Sequence, residues 1–148
     1  GELNAELLFD DELVFAAGAQ NSLALRRKIK MAELADAQWI LTAPGTWNYE
    51  IVAAMFRSYG LEMPRVSVST LSVHLRTNLL ASGHFVTAFP RSVLRLHAEP
   101  FKLKELRLDL PVRAWPVTLL TLKSRTLSPV VERFMTCARE TVKAAGLS

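Results

Sequence analysis

The chain has 148 residues, half of them hydrophobic and 22% charged, which excludes a disordered, collagen-like or disulfide-stapled protein. A chain of this length buries about 70% of its unfolded surface, as one domain or two small lobes, and no apolar run approaches the ~20 residues that span a bilayer. Eighteen Lys and Arg against fourteen Asp and Glu leave a net charge of +4, too mild and too scattered to argue for a nucleic-acid partner.

The opening Gly1-Glu2-Leu3 carries no basic or apolar leader segment and reads as a cut end that enters the fold midway. Asp10-Asp11-Glu12 is an acidic strand entrance. Residues 13–17 form a continuous apolar run closed by Gly18, the pattern of a buried strand. Residues 20–30 are polar and basic, a loop in which Arg26-Arg27-Lys28 is solvated. Residues 31–35 make a short helical turn, and 39–42 a second buried strand stopped by Pro44-Gly45. Apolar residues at 47, 51, 52, 55, 56 and 59 predict a helix with Thr46 as N-cap and Gly60 as its stop. Residues 66–69 alternate as a strand. Leu71, Leu75, Leu79 and Leu80 mark the core face of the next helix, capped by Ser69 or Thr70 and ended by Gly83. Residues 85–89 are a strand, 91–97 a helix, and 103–110 ambiguous. Residues 114–122 are so apolar and β-prone that they read as a central strand, with Pro116 at its start or at a crossing between lobes. Ser128-Pro129 opens a last helix whose stripe is Val130, Val131, Phe134, Met135, Ala138 and Val142, with Cys137 beside it as a partly buried thiol. Strand–helix alternation of this kind predicts an α/β fold with largely parallel strands.

In open α/β sheets ligands bind outside the carboxyl ends of the strands. Three polar turns qualify: 42–46, 69–72 and 83–87. The first two combine hydroxyls with N–H groups at a helix start, which favours an anion, typically a carboxylate. The candidate ligand contacts are Thr42, Gly45, Thr46, Ser69, Ser72, Phe85 and Thr87, with Trp47 as a further aromatic wall. The competing reading of Thr46, Ser69 and Thr70 is helix capping alone. His74, His84 and His97 share no ligand spacing with Cys137, so no metal and no cofactor is expected. No phosphate loop, dinucleotide fingerprint, nucleophile elbow or zinc-protease motif occurs, and nothing supplies a nucleophile–base pair. An enzyme is not expected. The lone Cys137 excludes an internal disulfide and fits a reducing compartment.

Several segments together resemble a known family. They are 7–14 (Leu-Leu-Phe-Asp-Asp-Glu-Leu-Val), Asn21-Ser22-Leu23-Ala24, Ala32-Glu33-Leu34 before Trp39-Ile40-Leu41, and 56–61 with its Gly60 turn. Leu79-Leu80-Ala81-Ser82-Gly83 running to Phe89-Pro90, and Thr126-Leu127-Ser128-Pro129 before Phe134, complete the set. Their order and spacing are similar to those of the effector-binding domain of LysR-type transcriptional regulators. At 21–24 the family usually has His-Pro-Leu-Ala, and this chain lacks the His and the Pro.

The resemblance implies a Rossmann-like, two-lobed, type 2 periplasmic-binding-protein fold with lobe II complete and lobe I only partly present. Residues 1–16 would be a lobe I strand and crossover, 17–115 lobe II, and 116–148 the return to lobe I. It implies a small, anionic organic effector held between the lobes, a cytoplasmic homodimer or homotetramer, and DNA contact only through a helix-turn-helix outside this chain. It also sets Leu71, Leu75 and Leu79 at an oligomer interface, although periodicity alone places them in the core. An incomplete lobe I leaves apolar surface for self-association. The alternative is a transport-type solute-binding protein of the same fold.

Overall fold

The computed structural model describes residues 2–109 and 114–147. Contacts divide the chain into two compact units, Leu13–Val112 on one hand and Gly1–Glu12 with Arg113–Ser148 on the other.

The larger unit is a three-layer α/β/α sandwich. Its strands are the second half of β1 (Leu3–Gly18), β2 (Gln38–Leu41), β3 (Val66–Ser69), β4 (Phe85–Pro90) and β5 (Leu103–Glu105), in the order β3-β2-β4-β1-β5. Alternate side chains divide between the two faces, as the period of two in a strand requires. Phe15, Ala17, Trp39, Leu41, Val86 and Ala88 join Met31 and Leu34 of α1 (Met31–Ala35) and Val52 and Phe56 of α2 (Trp47–Ser58) in one core. Val14, Ala16 and Phe89 join Leu80 of α3 (Val73–Ala81) and Leu94 of α4 (Arg91–His97) in the other. Trp39 is the hub of the first core, edge-on to Phe15 at 5.4 Å and to Phe56 at 5.7 Å. Gly18 is required where β1 passes under α3, since a Cβ there would stand 2.2 Å from the Leu80 carbonyl oxygen.

The expectation of largely parallel strands is corrected. Only β2 is parallel to its neighbours, β3 and β4, while β1 runs antiparallel to β4, β5 and β6. Strand direction leaves no trace in a short apolar run, because a strand buried on both faces has the same pattern either way. Of the ambiguous 103–110 segment, 103–105 is β5; Leu110 lies outside the described residues.

The smaller unit is an antiparallel ribbon of the first half of β1 and β6 (Ala114–Leu122), with α5 (Pro129–Ala144). β6 is not central: among the described residues it pairs only with β1. One ribbon face carries Glu6, Leu119 and Thr121, all partly buried, and Arg139 of α5 reaches across to Glu6 with two bonds of 2.6 and 2.7 Å. The opposite face carries Leu3, Ala5 and Leu7 against Leu122, Leu120 and Thr118, and every one of these is exposed. On α5 only Val142 is buried; Val130, Val131 and Phe134 of the expected stripe are exposed, as is Cys137. Ser128 caps this helix as expected, accepting from the Val131 N–H, with Pro129 in the first turn.

The Arg139 hydrogen bond holds the Glu6 carboxyl below its ordinary range. A depressed carboxylate contributes stability above its unfolded pKa and loses it as pH falls through the folded value. Arg139→Ala is therefore expected to destabilise slightly at pH 7, with the gap to wild type closing in acid. Thermal melts from pH 7 to pH 3 check this. A gap constant with pH would assign the loss to packing instead.

Candidate anion site at the carboxyl ends of β2 and β3

Because β2, β3 and β4 run the same way, their carboxyl ends define one edge. Leu41 pairs with Ser69, and the Thr70 N–H donates to the Leu41 carbonyl at 3.0 Å. The chain then turns at Gly45, whose φ of 84° is a conformation glycine adopts without strain. α2 starts immediately afterwards.

Thr46 is the N-cap of α2 by backbone geometry, but its hydroxyl makes no capping bond. It donates instead to the Ala43 carbonyl at 2.7 Å and meets the Thr42 hydroxyl at 2.6 Å. The Thr46 side chain thus does not cap the N–H groups of the first turn. Glu50, in that first turn, does not fold back on them: its carboxylate accepts from the Gly45 N–H at 3.1 Å. Ser69 and Thr70 do not cap α3 either. Ser72 does, accepting from the Leu75 N–H at 3.2 Å, while Thr70 accepts from the Ser72 N–H.

The structure gathers Thr42, Gly45, Thr46 and Ser69 at this edge and sets Ser72 at the head of α3 beside it. Thr87 lies inside the sheet, fully buried, donating to the Ile40 carbonyl at 2.6 Å. Phe85 is placed elsewhere: it is at the amino end of β4, opposite Gln38 at the start of β2, and packs on the second core. His84 is exposed. The core reading of Leu71 and Leu75 is corrected, since they are 76% and 44% exposed; Leu79 is half-buried.

What faces the sheet from α3 is Arg76, Thr77 and Leu80. Arg76 is 3% exposed, and its guanidinium lies 4.2 Å over the Phe89 ring. Its Nη2 donates to the Thr87 hydroxyl at 2.8 Å and to the Ala88 carbonyl. The Ala88 carbonyl also accepts from Asn48 Nδ2 of α2, at 3.2 Å. One carbonyl therefore ties the buried cation to the start of α2. No carboxylate pairs with Arg76 among the described residues, and burial pushes its pKa down to about 10. It remains a cation at neutral pH. Its Nη1 makes no bond, and it is not sealed off, because the only fully buried polar side-chain atom without a partner among the described residues is Asn48 Oδ1.

Sequence reasoning counted Arg76 only as one of many scattered cations and passed over Asn48. A signal existed for the first. Arg76 sits three residues after Val73 and four before Leu80, on the apolar stripe of its own helix. An arginine there is buried and must find partners.

Among the described residues no group of His, Cys, Asp and Glu could hold a metal, and no helix is long and apolar enough to cross a membrane. The larger unit is thus a mixed sheet between two helical layers, with the start of α2 set at its parallel strand ends. Residues 1–143 match the family model of the LysR substrate binding domain, and the chain belongs to that family. The HTH-type transcriptional regulator GbpR of Azospirillum brasilense is 29% identical over 107 residues, 72% of this chain and 31% of that protein. The chain thus spans under a third of that relative's length.

The fold is shared with the Synechocystis PCC6803 CcmR regulatory domain in complex with 2-PG. That match has a TM-score of 0.73 and 22% identity, over 96% of this chain and 68% of that one. The effector binding domain of QuiR in complex with shikimate matches with a TM-score of 0.68 and 18% identity, over 97% of this chain and 66% of that one. The regulatory domain of MetR from N. meningitidis gives 0.68 and 16%, over 98% and 66%.

Proposed function

We propose that this chain is the effector-sensing part of a LysR-type transcription factor and that it takes a small organic anion at the edge formed by β2, β3 and α2. The observation that carries the reading is Arg76, a buried cation without a carboxylate partner among the described residues, coupled through the Ala88 carbonyl to a helix start that its N-cap side chain does not cap. Both features favour negative charge at one place. Two similar domains hold 2-PG and shikimate, and the family match favours this reading over a transport-type binding protein. Thr42, Gly45, Thr46, Ser69 and Ser72 supply the rim, and Thr87 positions Arg76 from behind. Residues 17–115 would form the lobe that bears this edge, and 1–16 with 116–148 would belong to its companion. Effector binding biases one subunit arrangement over another in the cytoplasm, and a helix-turn-helix elsewhere in the polypeptide carries that bias to DNA.

The test is calorimetric titration of small carboxylates and phosphate esters, 2-PG and shikimate among them. Thr46→Ala is expected to weaken the best ligand about fivefold to tenfold, the worth of one hydrogen bond. Equal affinity would remove Thr46 from the site.

The bare ribbon face and the exposed Leu71 and Leu75 support self-association of this chain. Light scattering is expected to show oligomers in wild type and a smaller species in Leu7→Lys/Leu120→Lys. A monomeric wild type would end that part of the reading.

A further inference from the structure

We propose that a second anion site, for the phosphate chain of a polyphosphorylated small molecule, lies in the groove between the loop after β1 and strand β5. The groove is a cavity of about 610 Å³ lined by Ala24, Leu25, Arg26, Arg27, Lys104, Glu105 and Arg107. That volume is in the range of small-molecule pockets, roughly 300–1,000 Å³.

Both walls are pinned to the core, so the charges are not on a loose loop. Asn21 holds the first turn, accepting from the Leu23 N–H and donating to the Gly83 carbonyl at 2.9 Å each. Ile29 is buried, its N–H donates to the Arg107 carbonyl at 3.0 Å, and it bridges in parallel to Leu108. On the other wall Leu106 is buried and its N–H donates to the Phe15 carbonyl at 2.8 Å. Burying 106 while Lys104 and Arg107 stay exposed turns these two cations outward.

Pairing then decides what the groove wants. Arg26 is bonded to Glu33, and Glu105 is taken by Arg91 at 2.8 Å. Arg27, Lys104 and Arg107 have no carboxylate partner among the described residues. Three like charges in one concavity repel one another, and a multiply charged anion relieves that repulsion. Two guanidinium forks suit phosphate oxygens bidentately. No aromatic ring is among the described residues that line the groove, so they offer no platform for bases and read charge rather than a ring. The ligand's source is a nucleotide or an inorganic polyphosphate, and the chemistry read is the same.

Calorimetry of the 148-residue chain with sodium tripolyphosphate at about 50 mM salt tests this, since weak screening keeps the charges visible. Saturable binding is expected. Arg27→Gln/Arg107→Gln is expected to weaken it at least about tenfold with an unchanged circular dichroism spectrum, because charge-assisted bonds are lost. Arg76→Met is expected to retain it, which separates this groove from the effector edge. A nucleoside triphosphate binding at least as tightly as tripolyphosphate names a nucleotide as the source; weaker binding names the inorganic chain. The proposal is overturned by absent saturation, by full affinity in the double variant, or by a glutamate octapeptide binding as tightly, which would make the groove a docking surface for acidic polypeptide.

Discussion

Arg76→Met is expected to lower affinity for the effector about a hundredfold or more while the ligand-free chain melts within about 1 kcal/mol of wild type. Losing a desolvated, hydrogen-bonded charge opposite an anion costs about 2–5 kcal/mol of binding. The fold survives because the groups left behind keep partners. The Thr87 hydroxyl still donates to Ile40, and the Ala88 carbonyl still accepts from Asn48. Methionine also removes a buried charge, and such replacements are often neutral or stabilising.

The pH logic agrees. Burial holds the folded pKa of Arg76 near 10, well below the ordinary arginine range. A cation with a depressed pKa destabilises the fold at every pH below that value, and the penalty lifts only as pH rises through it. At pH 7 the full penalty is present in wild type and absent in the variant. Differential scanning calorimetry with and without effector measures both quantities. A variant that keeps the effector-induced rise in melting temperature would make Arg76 a purely structural residue.

Trp39→Ala is expected to lose about 4 kcal/mol of stability, in the range for buried aromatic truncation. Trp39 is fully buried, its two ring neighbours are Phe15 and Phe56, and its Nε1 donates to the Leu34 carbonyl at 2.8 Å. The larger unit should unfold at markedly lower urea. Trp39→Phe keeps much of the packing and abandons the Leu34 carbonyl, at about 1–2 kcal/mol. Equal losses in the two variants would show that the hydrogen bond outweighs the volume.

Much of the element order was legible because apolar runs, turn glycines and caps agree locally. Val66–Ser69, Arg91–His97 and Ala114–Leu122 fall where their patterns place them. β1 was harder. Only 13–17 is continuously apolar, while the strand itself begins at Leu3, because its first half is the exposed ribbon. In α3 a leucine repeat outvoted an arginine: Leu71 and Leu75 carry the apolar signal yet face solvent, and Arg76 takes the sheet side. The family resemblance rested on order and spacing across the chain, which local ambiguities of this kind do not disturb.

At the edge site, Thr42, Gly45, Thr46 and Ser69 were readable as residues at strand ends and helix starts. The placing of Phe85 at a carboxyl strand end failed because a glycine turn marks both ends of a strand alike, and β4 enters rather than leaves the sheet there. Asn48 carried no signal, since an asparagine in a first helical turn is ordinary until its amide is seen on the Ala88 carbonyl.

The leucines on the open side of the ribbon also bear on how the protein should be handled. Association through Leu3, Leu7, Leu120 and Leu122 would remove hydrocarbon from water, and that driving force has a large negative heat capacity. It weakens toward 0 °C. Any oligomers held this way would loosen on ice and tighten on warming, so an assembly measured in a cold room would be smaller than one measured at growth temperature.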